Sequence, residues 1–179
     1  TSKDVVDRAL GYKSQVGSAI NGTQLQLEQA LALPAAESRM ERVCSPAGAC
    51  GFMQIIPETA RTLGYTGTDA EIQRFLLDPA NDQINIARGE MYFASLVARY
   101  GEEDAVAAYN GGAGNLNLPY DRNTNPEALA KSVACPGLRA YQCTQDVGGA
   151  QNTGFQQTRD LIERYKRYKE AFRQRLGVM

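Results

Sequence analysis

Apolar residues recur at helical spacing along most of this chain, and turn residues punctuate them at regular intervals. Residues 3 to 20 predict a helix with Val5, Val6, Ala9 and Val16 facing inward, interrupted at Gly11 and Gly17. The Asn21-Gly22-Thr23 turn supplies an N-cap for a second helix running to about Glu37. Within it, Pro34 is expected to kink the helix or start a new turn, because proline cannot donate to the preceding ladder. Residues 43 to 56 hold too much Gly and Ala turn chemistry for a helix and predict a small β-hairpin, which a Cys44–Cys50 bridge would close.

Further along, Pro57 suits a first helical turn, with Gly64 just past the end of Glu58–Leu63. A short helix is expected near Ala70–Leu76, and Asp78 before Pro79 reads as the cap of the next one. The strongest helical signal runs from about Asn81 to Tyr100 and stops at Gly101. Its predicted inner stripe is Ile84, Ala87/Arg88, Met91, Ala94/Ser95 and Ala98. Residues 102 to 109 form another short helix ending in the Tyr109-Asn110-Gly111-Gly112 turn. Residues 115 to 153 are rich in Asn, Pro and Gly and predict loop, with a helix near 126–134. A final helix is expected over 154–176, from Phe155 to Leu176, with Leu161, Ile162, Tyr165, Tyr168/Lys169 and Phe172 on one face. The expected fold is therefore mainly α with one small hairpin, and 1–179 is read as one domain.

Composition narrows the chemistry. The chain has 179 residues and no histidine. That excludes Ser-His and Cys-His nucleophilic machinery and the common zinc sites, leaving carboxyls, tyrosines and lysines for proton transfer. Four cysteines fall as two close pairs, Cys44 with Cys50 and Cys135 with Cys143. Four allow three connectivities; the local pairing is the simplest, and Cys-x-x-Cys metal spacing is absent. Two disulfides imply an oxidising compartment such as the periplasm, whereas free buried thiols would fit a cytosolic protein. No apolar stretch reaches membrane-span length. The opening Thr1-Ser2-Lys3-Asp4 is not leader-like, and the missing initiator Met suggests a trimmed form. A net charge of −1 argues against nucleic-acid binding. The segment from Arg159 to Arg175 carries +4 and the rest −5, which reads first as a solvated helix face and second as a tether to an anionic partner.

The candidate chemistry centres on Glu37, at the polar end of an apolar run, Leu33-Pro34-Ala35-Ala36-Glu37-Ser38. Partial desolvation there disfavours the charged carboxylate and raises its pKa, as a general acid requires. Downstream lie Ser45-Pro46-Ala47-Gly48-Ala49-Cys50-Gly51-Phe52-Met53-Gln54-Ile55-Ile56-Pro57, Asp78-Pro79, Asn85-Ile86-Ala87-x-Gly89 and Ala108-Tyr109-Asn110-Gly111-Gly112-Ala113-Gly114. Together these motifs resemble a lytic transglycosylase with a goose-lysozyme-like catalytic domain, over roughly residues 23 to 115. The Leu33-Pro34 pair before the acid is most similar to the membrane-bound D-type subgroup.

The resemblance implies a lysozyme-like helical fold and peptidoglycan glycan strands as substrate, with no cofactor. It implies that Glu37 protonates the glycosidic oxygen between N-acetylmuramic acid and N-acetylglucosamine, assisted by the muramoyl acetamido group. The carboxylate then takes the proton of the sugar's own C6 hydroxyl, closing a 1,6-anhydro ring. The nucleophile is intramolecular, so the second carboxyl that glycoside hydrolysis ordinarily needs is not required. Among the other acids, Glu41 and Glu58 read as solvated, Asp78 as a cap, and Glu90 shows no site-like pattern.

Ser38 is placed to cap or orient the acid and Gly51 to let the backbone approach a sugar, and by the same resemblance Ser45 lies beside the acetamido group and C6 hydroxyl. Met53 and Gln54 line the sugar site, and Tyr109 and Asn110 border the acid. Without the resemblance these are a helix-end hydroxyl, turn residues, a core methionine and a packed aromatic. One departure is plain: Leu161 and Gln157 stand where the family usually has tyrosine and glutamate, leaving Tyr165 or Tyr120 to compensate. Two rival functions follow, a goose-type lysozyme-like hydrolase and a non-catalytic peptidoglycan-binding module of an envelope or secretion machine. A monomer is expected, with an envelope-machine protein as a conceivable partner.

Overall fold

A computed structural model describes residues 1–116, 138–142 and 155–178. The expected helix near 126–134 and Tyr120 lie outside the described residues. So do Cys135 and Cys143, and with them the second expected disulfide.

The first helix is split in two, α1 (Ser2–Leu10) and α2 (Lys13–Ala19). In a capping box the Asp4 N–H donates to Thr1 Oγ1, and the Asp4 carboxylate accepts from the Thr1 amino group. The ladder stops at Gly11, and Tyr12 leaves helical geometry at φ −103°, ψ 12°. That break frees the Tyr12 ring to pack edge-on against Phe52 at 4.9 Å and its hydroxyl to accept from Arg42.

Helix α3 spans Leu27–Ser38, starting later than the sequence suggests. Thr23 closes a turn instead, donating to the Ile20 carbonyl, and Gln26 and Gln29 form the capping box. Pro34 lies inside α3 and the helix continues past it, so no new turn begins there. From Ala30 to Ala36 every residue is buried. A helix apolar on all sides must sit at the centre of a core, and α1, α2 and the C-terminal helix α8 (Gln156–Leu176) surround it.

The predicted hairpin is not seen. Residues 44–55 contain only isolated antiparallel bridges, Cys44 with Cys50 and Cys50 with Ile55. Gly51 (φ 80°) and Gln54 (φ 48°) turn the backbone out of extended geometry within a few residues, which prevents a ladder from forming. The Cys44–Cys50 disulfide is present, with Cα atoms 4.1 Å apart.

Helix α4 (Pro57–Thr62) has proline at its first position, and α5 (Asp69–Leu77) starts from a Thr68/Glu71 capping box. Asp78 caps a 3-10 turn, accepting from the Ala80 N–H at 2.9 Å. In α6 (Asp82–Tyr100) the inner face differs from the predicted stripe: Ile84 and Met91 are exposed, while Asn85, Ile86, Gly89, Glu90, Phe93 and Leu96 are buried against α2 and α7 (Glu102–Gly111). The expected face of α8 is buried at Leu161, Ile162, Tyr165 and Phe172. Much of its positive charge meets acids of other helices: Lys166 with Glu103, Lys169 with Glu102 and Arg175 with Asp7. Among the described residues no helix is long and apolar enough to cross a membrane.

Candidate active site

Glu37 occupies the last turn of α3, where unpaired helix carbonyls already disfavour a negative charge. Beyond it Arg39 and Met40 both adopt left-handed geometry, at φ 56° and 55°. Two such residues in succession are uncommon outside glycine, and they turn the chain sharply beneath the helix end. Ser38 secures the turn: its buried hydroxyl donates to the Phe52 carbonyl at 2.7 Å. The hydroxyl is thus committed to holding the loop against the helix.

The side chain of Glu37 is partly open, yet its Oε1 is sealed from solvent and has no hydrogen-bond partner. Burial pushes its pKa up to about 8, against the opposing pull of the Arg164 guanidinium. Arg164 donates to the Ala36 carbonyl at 3.3 Å, which holds it near the acid. The acid is therefore mostly protonated at neutral pH and poised to donate.

Glu37 opens on a cleft of about 700 Å³, a volume suited to sugar-sized ligands. Ser45, Gln54, Tyr109 and Asn110 line the same cleft. The Ser45 hydroxyl accepts from the Ala49 N–H at 3.1 Å. The Gln54 amide donates to the Val43 and Gly51 carbonyls at 2.8 and 2.9 Å, so its nitrogen is spoken for and its oxygen remains to accept. Asn110 Oδ1 accepts from Thr158 at 2.9 Å, tying the end of α7 to α8.

Tyr109 donates its phenol proton to the Met53 carbonyl at 2.5 Å, and its ring packs against Tyr92 and Phe93. Burial, with Glu37 and Glu90 nearby, holds the phenol pKa well above its ordinary value. Tyr109→Phe is expected to destabilise the fold by about 1–3 kcal/mol, because the Met53 carbonyl loses its donor inside the protein. Thermal melts of the two proteins check this; an unchanged melting temperature would contradict it.

Gly51 and Met53 sit behind the cleft surface. A Cβ at Gly51 would lie 2.7 Å from the Leu76 carbonyl oxygen, and Met53 packs on Gly89, where a Cβ would come within 2.5 Å of its side chain. The close approach that Gly51 permits is to α5.

The sequence reading missed Ile56, Glu58, Thr59 and Tyr92 as lining residues, although Glu58 and Thr59 sit on the first turn of a helix it placed correctly. Gln157 lines the cleft, while Leu161 is core, and Tyr165 turns its hydroxyl into the interior without a partner. Tyr165 thus does not supply the family's cleft tyrosine.

Of the other acids, Glu41 pairs with Arg8 at 3.0 Å and Glu58 is exposed on the cleft. Glu90 is fully buried, neither carboxyl oxygen has a partner, and burial raises its pKa well above the ordinary range. A group whose folded pKa is raised favours the fold most below its unfolded pKa and loses that contribution as pH rises. Glu90→Met should therefore raise the melting temperature at pH 7, with the gain shrinking toward pH 4.5. Melts at the two pH values check this, and an equal shift at both would contradict it.

Comparisons with known proteins bear on the fold and the family. The crystal structure of the 70 kDa soluble lytic transglycosylase SLT70 from Escherichia coli superposes with a TM-score of 0.63 at 24% identity, over 93% of this chain and 24% of that one. The chain thus spans about a quarter of that protein's length, and the likeness supports a mainly α-helical, lysozyme-like fold. The family model described as "Transglycosylase SLT domain" matches residues 15–130. With Glu37, the loop beneath it and the Tyr109-Asn110 turn all inside that span, the chain belongs to the transglycosylase SLT domain family.

Proposed function

We propose that this chain is a peptidoglycan lytic transglycosylase, cleaving the β-1,4 bond between N-acetylmuramic acid and N-acetylglucosamine. The observation that carries the reading is the desolvated, unpartnered Oε1 of Glu37 at the edge of a sugar-sized cleft. Glu37 gives its proton to the glycosidic oxygen as the C1–O bond breaks, and the muramoyl acetamido oxygen stabilises the anomeric carbon. The glutamate so formed removes the proton of the C6 hydroxyl, whose oxygen bonds to C1 and closes the 1,6-anhydro ring. Glu37 ends protonated, ready for the next strand. Ser45, Gln54, Tyr109 and Asn110 border the reacting sugar in this reading, while Ser38, Gly51 and Met53 support the loop that carries Ser45 and Gln54.

The Cys44–Cys50 disulfide suits an oxidising envelope or periplasmic setting, where the polymer lies. A second bridge between Cys135 and Cys143 belongs to the same reading. Non-reducing peptide mapping checks it: one linked peptide holding both residues is expected, and a free thiol at Cys143 would contradict the pairing. Within the family, Leu33-Pro34 before the acid favours the membrane-bound D-type subgroup. We read the domain as a monomer that needs no cofactor.

Hydrolysis is the second reading, and Glu58 supports it as a carboxylate on the same cleft. Mass spectra of muropeptides released from purified sacculi separate the two. Anhydromuramoyl ends are expected; reducing ends would establish a lysozyme-like hydrolase instead. Sacculus binding with no release would leave a binding module.

A further inference from the structure

Glu37 opens on a second cavity. A groove of about 460 Å³ runs between the end of α3 and α8, bordered by Ala36, Arg39, Arg164, Arg167 and Tyr168. Glu37 thus borders both the cleft and the groove.

The two cavities differ in charge. Among the described residues no lysine or arginine lines the cleft. The groove presents three guanidinium groups, and its acid other than Glu37, Glu41, is already paired with Arg8. Arg164 is held by the Ala36 carbonyl. The exposed side chains of Arg39 and Arg167 have no hydrogen-bond or ion-pair partner among the described residues. Elsewhere on α8, Lys166, Lys169, Arg173 and Arg175 pair with acids, and Arg159 donates to the Tyr141 carbonyl and the Gln156 side chain. Arg167 and Tyr168 also border a further cavity of about 480 Å³ with Lys3, so the positive surface continues away from the acid.

The sugar rings of the glycan carry no charge, and the anionic groups of the polymer are the carboxylates of its peptide stems. Guanidinium is the side chain best matched to carboxylate geometry. Resting on the peptidoglycan reading above, we propose that Arg39 and Arg167, with Arg164 behind them, bind stem carboxylates on this side of the scissile bond, so that the domain selects stem-bearing strands over stripped ones.

The test measures binding of soluble glycan oligomers, intact or stripped of stems by an amidase with the freed lactyl carboxyls then capped as methylamides, to the Glu37→Gln protein with and without Arg39→Gly and Arg167→Ala. Both substitutions are surface changes, and glycine suits the left-handed backbone at residue 39. Intact oligomers are expected to bind about ten-fold tighter than stripped ones, the size of one charge-assisted hydrogen bond. The double substitution removes that advantage while changing the affinity for stripped oligomers less than about two-fold. Equal binding of both oligomers, or an equal loss for both in the double variant, would overturn the proposal. Stem preference without turnover by the unsubstituted protein would retain the groove and remove the transglycosylase reading. Turnover without stem preference would do the reverse.

Discussion

The Glu37→Gln protein is expected to lose turnover of sacculi by about 10²–10⁴-fold while keeping its fold, because one group serves as acid and then as base. Release of anhydromuropeptides measures the loss; unchanged release would remove Glu37 from the role. The unsubstituted protein should show a single alkaline limb in its pH–rate profile. Its acid must hold a proton to begin, so activity is expected to stay level below about pH 8 and fall as pH rises through it. A second carboxylate acting as base would add an acidic limb, and a bell-shaped profile would point to hydrolysis.

The same substitution should stabilise the fold. The folded pKa of about 8 lies above the ordinary 4.5, so the contribution of Glu37 to stability is complete below pH 4.5 and is lost as pH rises through about 8. At pH 8 the glutamine protein is expected to be more stable by about 2–4 kcal/mol, with the difference closing toward pH 4.5. Denaturant titrations at the two pH values read this directly. Greater stability with less activity is the signature of a site that keeps a proton donor where water would otherwise solvate it.

Gly51→Ala should have the largest effect on stability among the loop positions. Its backbone lies at φ 80°, and the new methyl would sit 2.7 Å from the Leu76 carbonyl oxygen. That oxygen is main chain of α5 and cannot swing aside as a side chain can. Strain and overlap together are expected to destabilise by about 3–4 kcal/mol, lowering the melting temperature by roughly 10 °C. Activity should fall as well, since Ser45 and Gln54 ride on the same loop. Gly48→Ala is the control: it shares a positive φ of 90°, but its methyl would meet the flexible end of Gln73. It is expected to lose only about 1 kcal/mol. Equal losses at the two glycines would show that backbone conformation alone matters and that contact with α5 does not.

What could be read in the sequence depended on how local its cause was. Glu37 at the polar end of an apolar run was legible because the surrounding alanines and leucines have no reason to be exposed, and the desolvation they imply is what the structure contains. The α8 face was legible because Leu161, Ile162, Tyr165 and Phe172 carry its periodicity without competition. In α6 two stripes compete. The true inner face includes Gly89 and Glu90, residues that hide a hydrophobic period, whereas Ile84 and Met91 mimic one on the outside. Only the packing of α2, α7 and Met53 against the helix decides between them.

By itself, then, the sequence determined the helical class, a carboxyl at the polar end of an apolar helix, the loop glycines and the close spacing of Cys44 and Cys50, because each follows from residues near one another in the chain. The tertiary structure alone decided which side chains reach the cleft. Ser38, Gly51 and Met53 are turned inward to brace the loop, Glu58 and Tyr92 are brought to the cleft, and Tyr165 and Glu90 are buried in the core. Partial desolvation of Glu37 was legible from its neighbours, but the complete sealing of its Oε1 was settled by the fold, where segments far apart in sequence meet around one carboxyl oxygen.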